Sequence, residues 1–168
     1  EQALLFSNST SEPELGLEEH LTTAQGPCVW NGSDPILPTA GHWKTYILES
    51  GTEFQPPAPY LCGSEEDIKE LLRVQEARAN ITPGQISVVH YWGDFPAYVI
   101  WNGNLNERII KNNMSVFEAA RASAYLNVGM YDGFVSYWYT KYDHWTARPF
   151  QRLVNFTTVI RTPNFPGY

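Results

Sequence analysis

Two cationic side chains near the C-terminal end of the sequence have the types and the spacing that would hold an oxyanion. Lys141 and Arg148 are seven residues apart, so on one continuous helix they would lie on the same side, about two turns apart. Pro149 disfavours helical geometry at Arg148, and we therefore expect the helix to break there and the guanidinium to enter from a turn. An ammonium group and a planar guanidinium together suit a tetrahedral anion. The alternative is two ordinary solvated cations near a helix end.

The distribution of charge favours an anion site at this end of the chain. The net charge is −7 over 168 residues, but it is −9 over residues 1–84 and +2 over residues 85–168. From residue 141 onward Asp143 is the only acidic residue, against four cations: Lys141, Arg148, Arg152 and Arg161. The negative total argues against non-specific binding of nucleic acid, which needs cations to replace the counterions of the phosphates.

Two short helices are predicted from their start signals. Ser64 precedes three acidic residues, as an N-cap precedes a first helical turn, and apolar residues follow at helical spacing over about 65–79. Thr82 followed by Pro83 predicts a second helix, which runs to about residue 91 or 92. Between this helix and the next apolar stretch, residues 98–101 give a weak strand signal.

A long helix is predicted from residue 113 to about residue 139. Its apolar residues occur on all sides, so we expect it to be buried around most of its circumference. Such a helix must be covered by a second chain or by the remainder of the same protein, and a homo-oligomer would also cover it. No run of about 18 uncharged apolar residues occurs, so no transmembrane segment is expected.

The chain divides into two parts by composition. Residues 1–63 form an irregular N-terminal arm, of which residues 27–63 are rich in proline, glycine and aromatic residues. We expect the rings of this segment to clamp it over another surface. Residues 64–168 carry the helical signals, and the fold class is all-α.

The segment around the two cations resembles a known signature. Lysine, six residues and then Arg-Pro is similar to the first signature of the type 2 phosphatidic acid phosphatase superfamily, which includes vanadium-dependent haloperoxidases and bacterial acid phosphatases. Residues 161–168, Arg-Thr-Pro-Asn-Phe-Pro-Gly-Tyr, resemble the lead-in to its second signature, Pro-Ser-Gly-His. Residues 41–44, Gly-His-Trp-Lys, resemble the segment that precedes the core in bacterial members. The resemblance spans about residues 27–168.

The resemblance implies the N-terminal part of a helical-bundle enzyme that binds phosphate, a phosphoester or vanadate. It assigns anion binding to Lys141 and Arg148 and makes vanadate the one cofactor to consider. The sequence reaches Tyr168 before the Pro-Ser-Gly-His and third signatures, so no catalytic residue and no metal ligand is assigned, and we expect this chain alone to be inactive. His144, inside the first signature, is a candidate for a group that contacts the anion-binding residues rather than the anion itself. The alternative is a histidine packed on aromatic rings or facing solvent.

The complete protein would be an acid phosphatase or a vanadium haloperoxidase. The alternative to an enzyme is a non-catalytic fragment, or a structural component of an extracellular assembly, that keeps the fold. The residues that follow these 168 would separate the two: a Pro-Ser-Gly-His signature favours the enzyme, and its absence favours the structural component.

Five Asn-x-Ser/Thr triplets indicate a secreted or extracellular protein if the source is eukaryotic. In a bacterial protein the triplets carry no such information, and the expected location is the periplasm. Asn155 lies beside the candidate site and is the least plausible acceptor of a glycan. Cys28 and Cys62 either form a disulfide that closes a loop of 34 residues or are two free buried thiols. The remaining candidate acceptors of N-glycans are Asn8, Asn31, Asn80 and Asn113.

Overall fold

The computed structural model describes residues 28–32 and 35–160, and this part of the chain is mostly helical. It contains an antiparallel bridge between Val29 and Thr146 and no extended strand, and none of its helices is long and apolar enough to cross a membrane. The all-α prediction is therefore confirmed at the level of fold class. A 3₁₀ turn, Ala40–His42, precedes five helices: α1 Glu65–Ala79, α2 Pro83–Gly93, α3 Ala97–Lys111, α4 Val116–His144 and α5 Pro149–Arg152.

The first two helices begin where their start signals predict. The Ser64 hydroxyl accepts a hydrogen bond from the backbone N–H of Asp67 (3.3 Å) at the start of α1. At the start of α2 the Thr82 hydroxyl accepts from the N–H of Gln85, and the Gln85 side chain accepts from the N–H of Thr82. Such reciprocal bonds satisfy donors that have no partner within the helix, which is why these two boundaries can be predicted from the sequence.

The weak strand signal at residues 98–101 is wrong, because these residues form the first part of α3. Ile100 is buried, and the side-chain amides of Asn102 on α3 and Asn127 on α4 donate to each other at 3.1 Å. Packing against α4 therefore outweighs the preference of a Tyr-Val-Ile-Trp run for an extended chain.

The long helix exists as α4, but it is displaced toward the C-terminus and is less buried than predicted. It begins after a capping box of Ser115 and Glu118 and continues to His144. The buried residues of α4 are Asp132 and Val135, whereas Phe117 and Tyr125 are 85% and 74% exposed. Its main partners in this chain are α3 and the turn Ala40–His42, and these cover only part of its circumference.

A loop from the N-terminal part of the chain is bound to the middle of α4 through one carboxylate. Asp132 is 4% exposed, and its two oxygens accept hydrogen bonds from the backbone N–H groups of Tyr46 (2.8 Å), Ile47 (2.7 Å) and Leu48 (3.0 Å). Burial acts to raise the pKa of this carboxyl, but the three N–H donors prevail, so its pKa lies below the ordinary value of 3.8. The loop is thus held to α4 by an ionised side chain.

Aromatic rings and a glycine bring the same loop close to α4. A Cβ atom at Gly41 would overlap the backbone of Tyr139, so only glycine allows this approach. Rings of this loop contact rings of α4, as expected, although His42, Trp43 and Tyr46 all remain exposed, as do Phe54 and Tyr60 of the same arm. The three ring pairs, with the distances between centroids, are His42–Tyr139 (5.3 Å), Trp43–Phe134 (6.1 Å) and Tyr46–Tyr131 (5.2 Å).

Two glycine-to-alanine substitutions should have opposite effects on the free energy of unfolding. Gly41→Ala should lower it by about 1–3 kcal/mol, because the new methyl group forces the loop away from α4. Gly129→Ala on α4, where a Cβ would have nothing within 4 Å, should raise it by about 0.5–1 kcal/mol through helix propensity. Urea unfolding followed by circular dichroism measures both, and equal effects of the two substitutions would contradict the close approach at Gly41.

Asp132→Asn should remove a part of the stability that depends on pH. A carboxyl whose pKa is lowered by folding stabilises the protein at pH values above its ordinary pKa, and this contribution is lost as the pH falls through the folded value. The parent should therefore lose more stability than Asp132→Asn between pH 6 and pH 3 in urea unfolding. Glu107→Gln, at an exposed position on α3, is the control. If the parent and Asp132→Asn follow the same pH dependence, the carboxylate does not anchor the loop.

Candidate anion-binding site

Lys141 lies in the last turn of α4, where the helix dipole favours a positive charge. Its Nζ atom is 4.1 Å from the centroid of the Trp138 ring and 5.5 Å from that of the Tyr142 ring. Both distances fall within the range of cation–π attraction. The ammonium group is therefore placed by two aromatic side chains from its own helix.

These two rings are themselves fixed by the N-terminal segment. The Trp138 indole N–H donates to the carbonyl groups of Ile36 (3.1 Å) and Leu37 (2.9 Å), and the Tyr142 hydroxyl donates to the carbonyl of Ile36. Since both ring systems are held by backbone carbonyls, the surroundings of Lys141 depend on the docking of residues 36–37 against α4.

The helix ends at His144, five residues beyond the predicted end near residue 139 and four residues before Arg148, so Lys141 and Arg148 do not lie on one continuous helix. Trp145 adopts left-handed backbone angles (φ 50°, ψ 37°), a conformation that is unusual for a bulky residue. Its indole N–H donates to the Trp30 carbonyl at 3.0 Å, its carbonyl accepts from the Trp30 N–H at 3.1 Å, and the two indoles meet edge to face. Contacts with Trp30 therefore stabilise the helix end that leads to Arg148.

Arg148 has extended backbone angles (φ −75°, ψ 152°), as Pro149 predicts, and it enters the site from a turn. Its N–H donates to the side-chain oxygen of Gln151 at 2.9 Å, and the Gln151 side-chain amide donates to Asn31 at 3.3 Å. The N–H of the preceding residue, Ala147, donates to the Cys28 carbonyl at 3.0 Å. The turn is thus bound on both sides of Arg148 to the segment 28–31.

The Lys141 ammonium group is partly buried and lies within electrostatic reach of Arg148. Burial, and after it the positive charge of Arg148, lower the pKa of Lys141 from 10.5 to about 8. Lys141 is still largely protonated at pH 7, and two like charges are held in a partly desolvated setting. An anion between them would offset both the loss of hydration and the repulsion between the two positive charges. Lys141 and Arg148 are called the candidate anion site below.

His144 lies at the end of α4 with most of its side chain buried. Its Nδ1 atom is 3.9 Å from the Asp143 carboxylate, and its Nε2 atom is buried without a hydrogen bond within residues 28–32 and 35–160. Asp143 in turn accepts a hydrogen bond from the Gln55 side chain at 2.6 Å. That His144 supports the candidate anion site remains a prediction.

The structure pairs Cys28 and Cys62 in a disulfide, with 5.9 Å between their Cα atoms. Of the candidate glycan acceptors, Asn31, Asn80 and Asn113 are exposed, and Asn8 lies outside the described residues. Residues 161–168, the lead-in to the second signature, also lie outside them.

One ion pair near the site could not be found from the sequence. The Arg152 guanidinium binds the Asp67 carboxylate with both terminal nitrogens, at 2.7 and 2.6 Å, and both side chains are largely buried. Hydrogen bonding to Arg152 holds the pKa of Asp67 below its ordinary value. The partners are 85 residues apart in the chain, so no local pattern signals the pair; it joins α5 to the first turn of α1.

An open groove of about 570 Å³ lies away from the two cations. Ile47 and Leu48 form one side and α4 the other, with Tyr125, Val128 and Gly129 among its lining residues. The walls are largely apolar, and the one carboxylate among them, Asp132, is bound to backbone N–H groups. This groove suits a hydrophobic side chain better than an anion. Among the described residues no three His, Cys, Asp or Glu side chains are grouped so that they could hold a metal ion.

Comparisons with protein-family models, with curated protein sequences and with solved structures give no match to this chain.

The pKa of Lys141 should depend on Arg148. Arg148→Gln removes the neighbouring positive charge, so the pKa of Lys141 should rise from about 8 toward 10.5. Carbon-13 NMR of the reductively methylated protein measures it, with Lys141→Arg to assign the signal among the four lysines. The control is Arg121→Gln, twenty residues earlier on α4 and about 30 Å away along the helix, which should leave the titration unchanged. An unchanged titration in Arg148→Gln would show that the two cations are not near each other.

Proposed function

We propose that this chain is part of a secreted phosphatase-like or vanadium haloperoxidase-like enzyme, in which Lys141 and Arg148 bind a tetrahedral oxyanion. The observation that carries the proposal is the placement of Lys141 in the last turn of α4 and of Arg148 on a separately fixed turn seven residues later; the lowered pKa of Lys141, caused by burial and then by the charge of Arg148, agrees with it. Two cations held near each other on separately fixed backbone segments are expected where an anion is bound. The resemblance to the superfamily's first signature supports the proposal independently.

The residues present fit phosphate or vanadate by charge and by donor chemistry. The ammonium group offers a compact charge with three donors, and the guanidinium offers a planar fork that can bind two oxygens at once. When bound, vanadate supplies activation of peroxide for halide oxidation, whereas a phosphoester in the same position is the substrate of hydrolysis. In both cases Lys141 and Arg148 neutralise negative oxygens, a stabilisation that grows as charge develops in the transition state.

The function is tested by titrating orthovanadate and inorganic phosphate into the purified protein by calorimetry. Arg148→Lys keeps the charge and loses the fork, so the affinity should fall by about 1.5–3 kcal/mol for each charge-assisted bond removed. Lys141→Ala should weaken binding similarly, and it should reduce turnover wherever the protein is active. Arg121→Lys, an exposed substitution of the same kind, is the matched control. Equal affinity in the parent and all three variants would refute the site.

A second candidate function is a non-catalytic component of an extracellular assembly. The observation that favours it is the apolar surface of α2 to α4, where Tyr91, Ile110 and Phe117 are at least half exposed, together with the open groove beside α4. Soluble monomers seldom expose large apolar patches unless these bind a partner. If neither anion binds the parent protein, this function is favoured over the enzyme.

A further inference from the structure

The Cys28–Cys62 disulfide lies between two groups of contacts that fix the turn of Arg148. On one side, residues 28–30 pair with residues 145–147: the Ala147 N–H donates to the Cys28 carbonyl (3.0 Å), and the Trp30 N–H donates to the Trp145 carbonyl (3.1 Å). The bridge between Val29 and Thr146 lies between these two bonds. The residue directly before Arg148 is thus bound to Cys28 itself.

On the other side, Cys62 lies beside the ion pair that holds α5. A terminal nitrogen of Arg152 is 3.8 Å from the Cys62 sulfur, and the same guanidinium binds Asp67 through both of its terminal nitrogens. Asp67 also accepts a hydrogen bond from the N–H of Gly63 at 2.8 Å. The helix that begins directly after Arg148 is therefore fixed to the segment that contains Cys62.

Arg148 is consequently held from both directions along the chain, and the disulfide joins the two holding segments. Without the S–S bond, residues 28–30 and residues 62–67 would be joined only through noncovalent contacts and the intervening loop. Residues 28–30 are paired with the turn through few bonds, and a short pairing of this kind is marginal in water unless it is held by other contacts. A cross-link limits the alternative arrangements that such a segment can adopt.

We propose that the Cys28–Cys62 disulfide is a positioning element for Arg148, which keeps its guanidinium beside Lys141 and thereby sets the affinity of the candidate anion site. This inference rests on the proposed function for its ligand, but the placement of Arg148 can be measured without any ligand. Cys28 and Cys62 act through the backbone of Ala147 and the side chain of Arg152.

The test compares the oxidised parent with the double variant Cys28→Ser/Cys62→Ser in three measurements. The first is the affinity for orthovanadate, which should fall by about tenfold or more because one fixed charge-assisted contact is lost. The second is the titration of Lys141, which should move from about 8 toward 10.5 as Arg148 departs. The third is amide hydrogen exchange, which should become faster at Ala147 and remain unchanged at Ile47, whose N–H is bound to Asp132.

Faster exchange at Ile47 would show that the double variant unfolds more widely. In that case Asp67→Asn decides, because it keeps the disulfide and weakens the attachment of α5 through Arg152, while the amide oxygen of asparagine can still accept the hydrogen bond from Gly63. It should shift the Lys141 titration in the same direction, while Glu66→Gln, an exposed neighbour in α1, should leave it unchanged. An unchanged titration in Asp67→Asn would overturn the proposal.

The outcomes separate the two proposals. If the parent binds no anion, the proposed function fails, and the Lys141 titration alone decides whether the disulfide positions Arg148. If the parent binds orthovanadate and the folded double variant binds it equally well, the proposed function stands and the positioning role is refuted. Weaker binding together with a raised Lys141 pKa and unchanged exchange at Ile47 supports both.

Discussion

The carboxylate of Asp132 joins the N-terminal loop to α4, and the surroundings of Lys141 depend on that junction. Three backbone N–H groups from Tyr46, Ile47 and Leu48 converge on this one side chain. The docked segment also presents the carbonyls of residues 36–37, which fix the Trp138 and Tyr142 rings. Those rings in turn flank the Lys141 ammonium. A buried carboxylate nine residues before Lys141 thus contributes to placing a cation that it does not contact.

Because α4 ends between the two cations, different parts of the structure fix their positions. Lys141 is fixed by its own helix, whose terminus favours its charge, whereas Arg148 follows a left-handed Trp145 and is fixed by contacts with distant segments. Had the helix continued to Arg148, both side chains would have moved as one rigid unit. Because it stops at His144, the guanidinium can approach from another direction, which suits binding around a tetrahedral ion.

Local sequence signals predicted the helix boundaries that depend on neighbouring residues. They failed where contacts with residues distant in the chain determine the secondary structure. Ser64 and Thr82 cap their own helices, so the starts of α1 and α2 were predictable. The strand signal at residues 98–101 was misleading because Ile100 and the Asn102–Asn127 pair commit that segment to packing on α4. The length of α4 was underestimated, since its end is set by Trp30, more than a hundred residues away in the chain.

The candidate anion site, too, was predictable only in the part that depends on local sequence. Lys141 and Arg148 could be named from residue type, spacing and Pro149, but the groups that hold them could not. Gln151 gives no sign in the sequence that it binds both Arg148 and Asn31, and Asp67 and Arg152 are 85 residues apart. Cys28 and Cys62 were recognisable as a candidate pair, although nothing local showed that the paired segments lie on either side of the arginine turn.

Polar and covalent links, rather than a large core, account for how this chain can hold two like charges near each other. The buried apolar cluster near α5 is small, with Ile68, Leu71 and Leu153 at its centre. A thicker apolar layer around Lys141 would lower its pKa further and favour the neutral amine, which attracts an anion less strongly. Partial burial among aromatic rings keeps the ammonium largely charged at pH 7 while removing some competing water. Fixed geometry then has to come from hydrogen bonds, the Asp67–Arg152 pair and the disulfide, and these are the contacts found on both sides of Arg148.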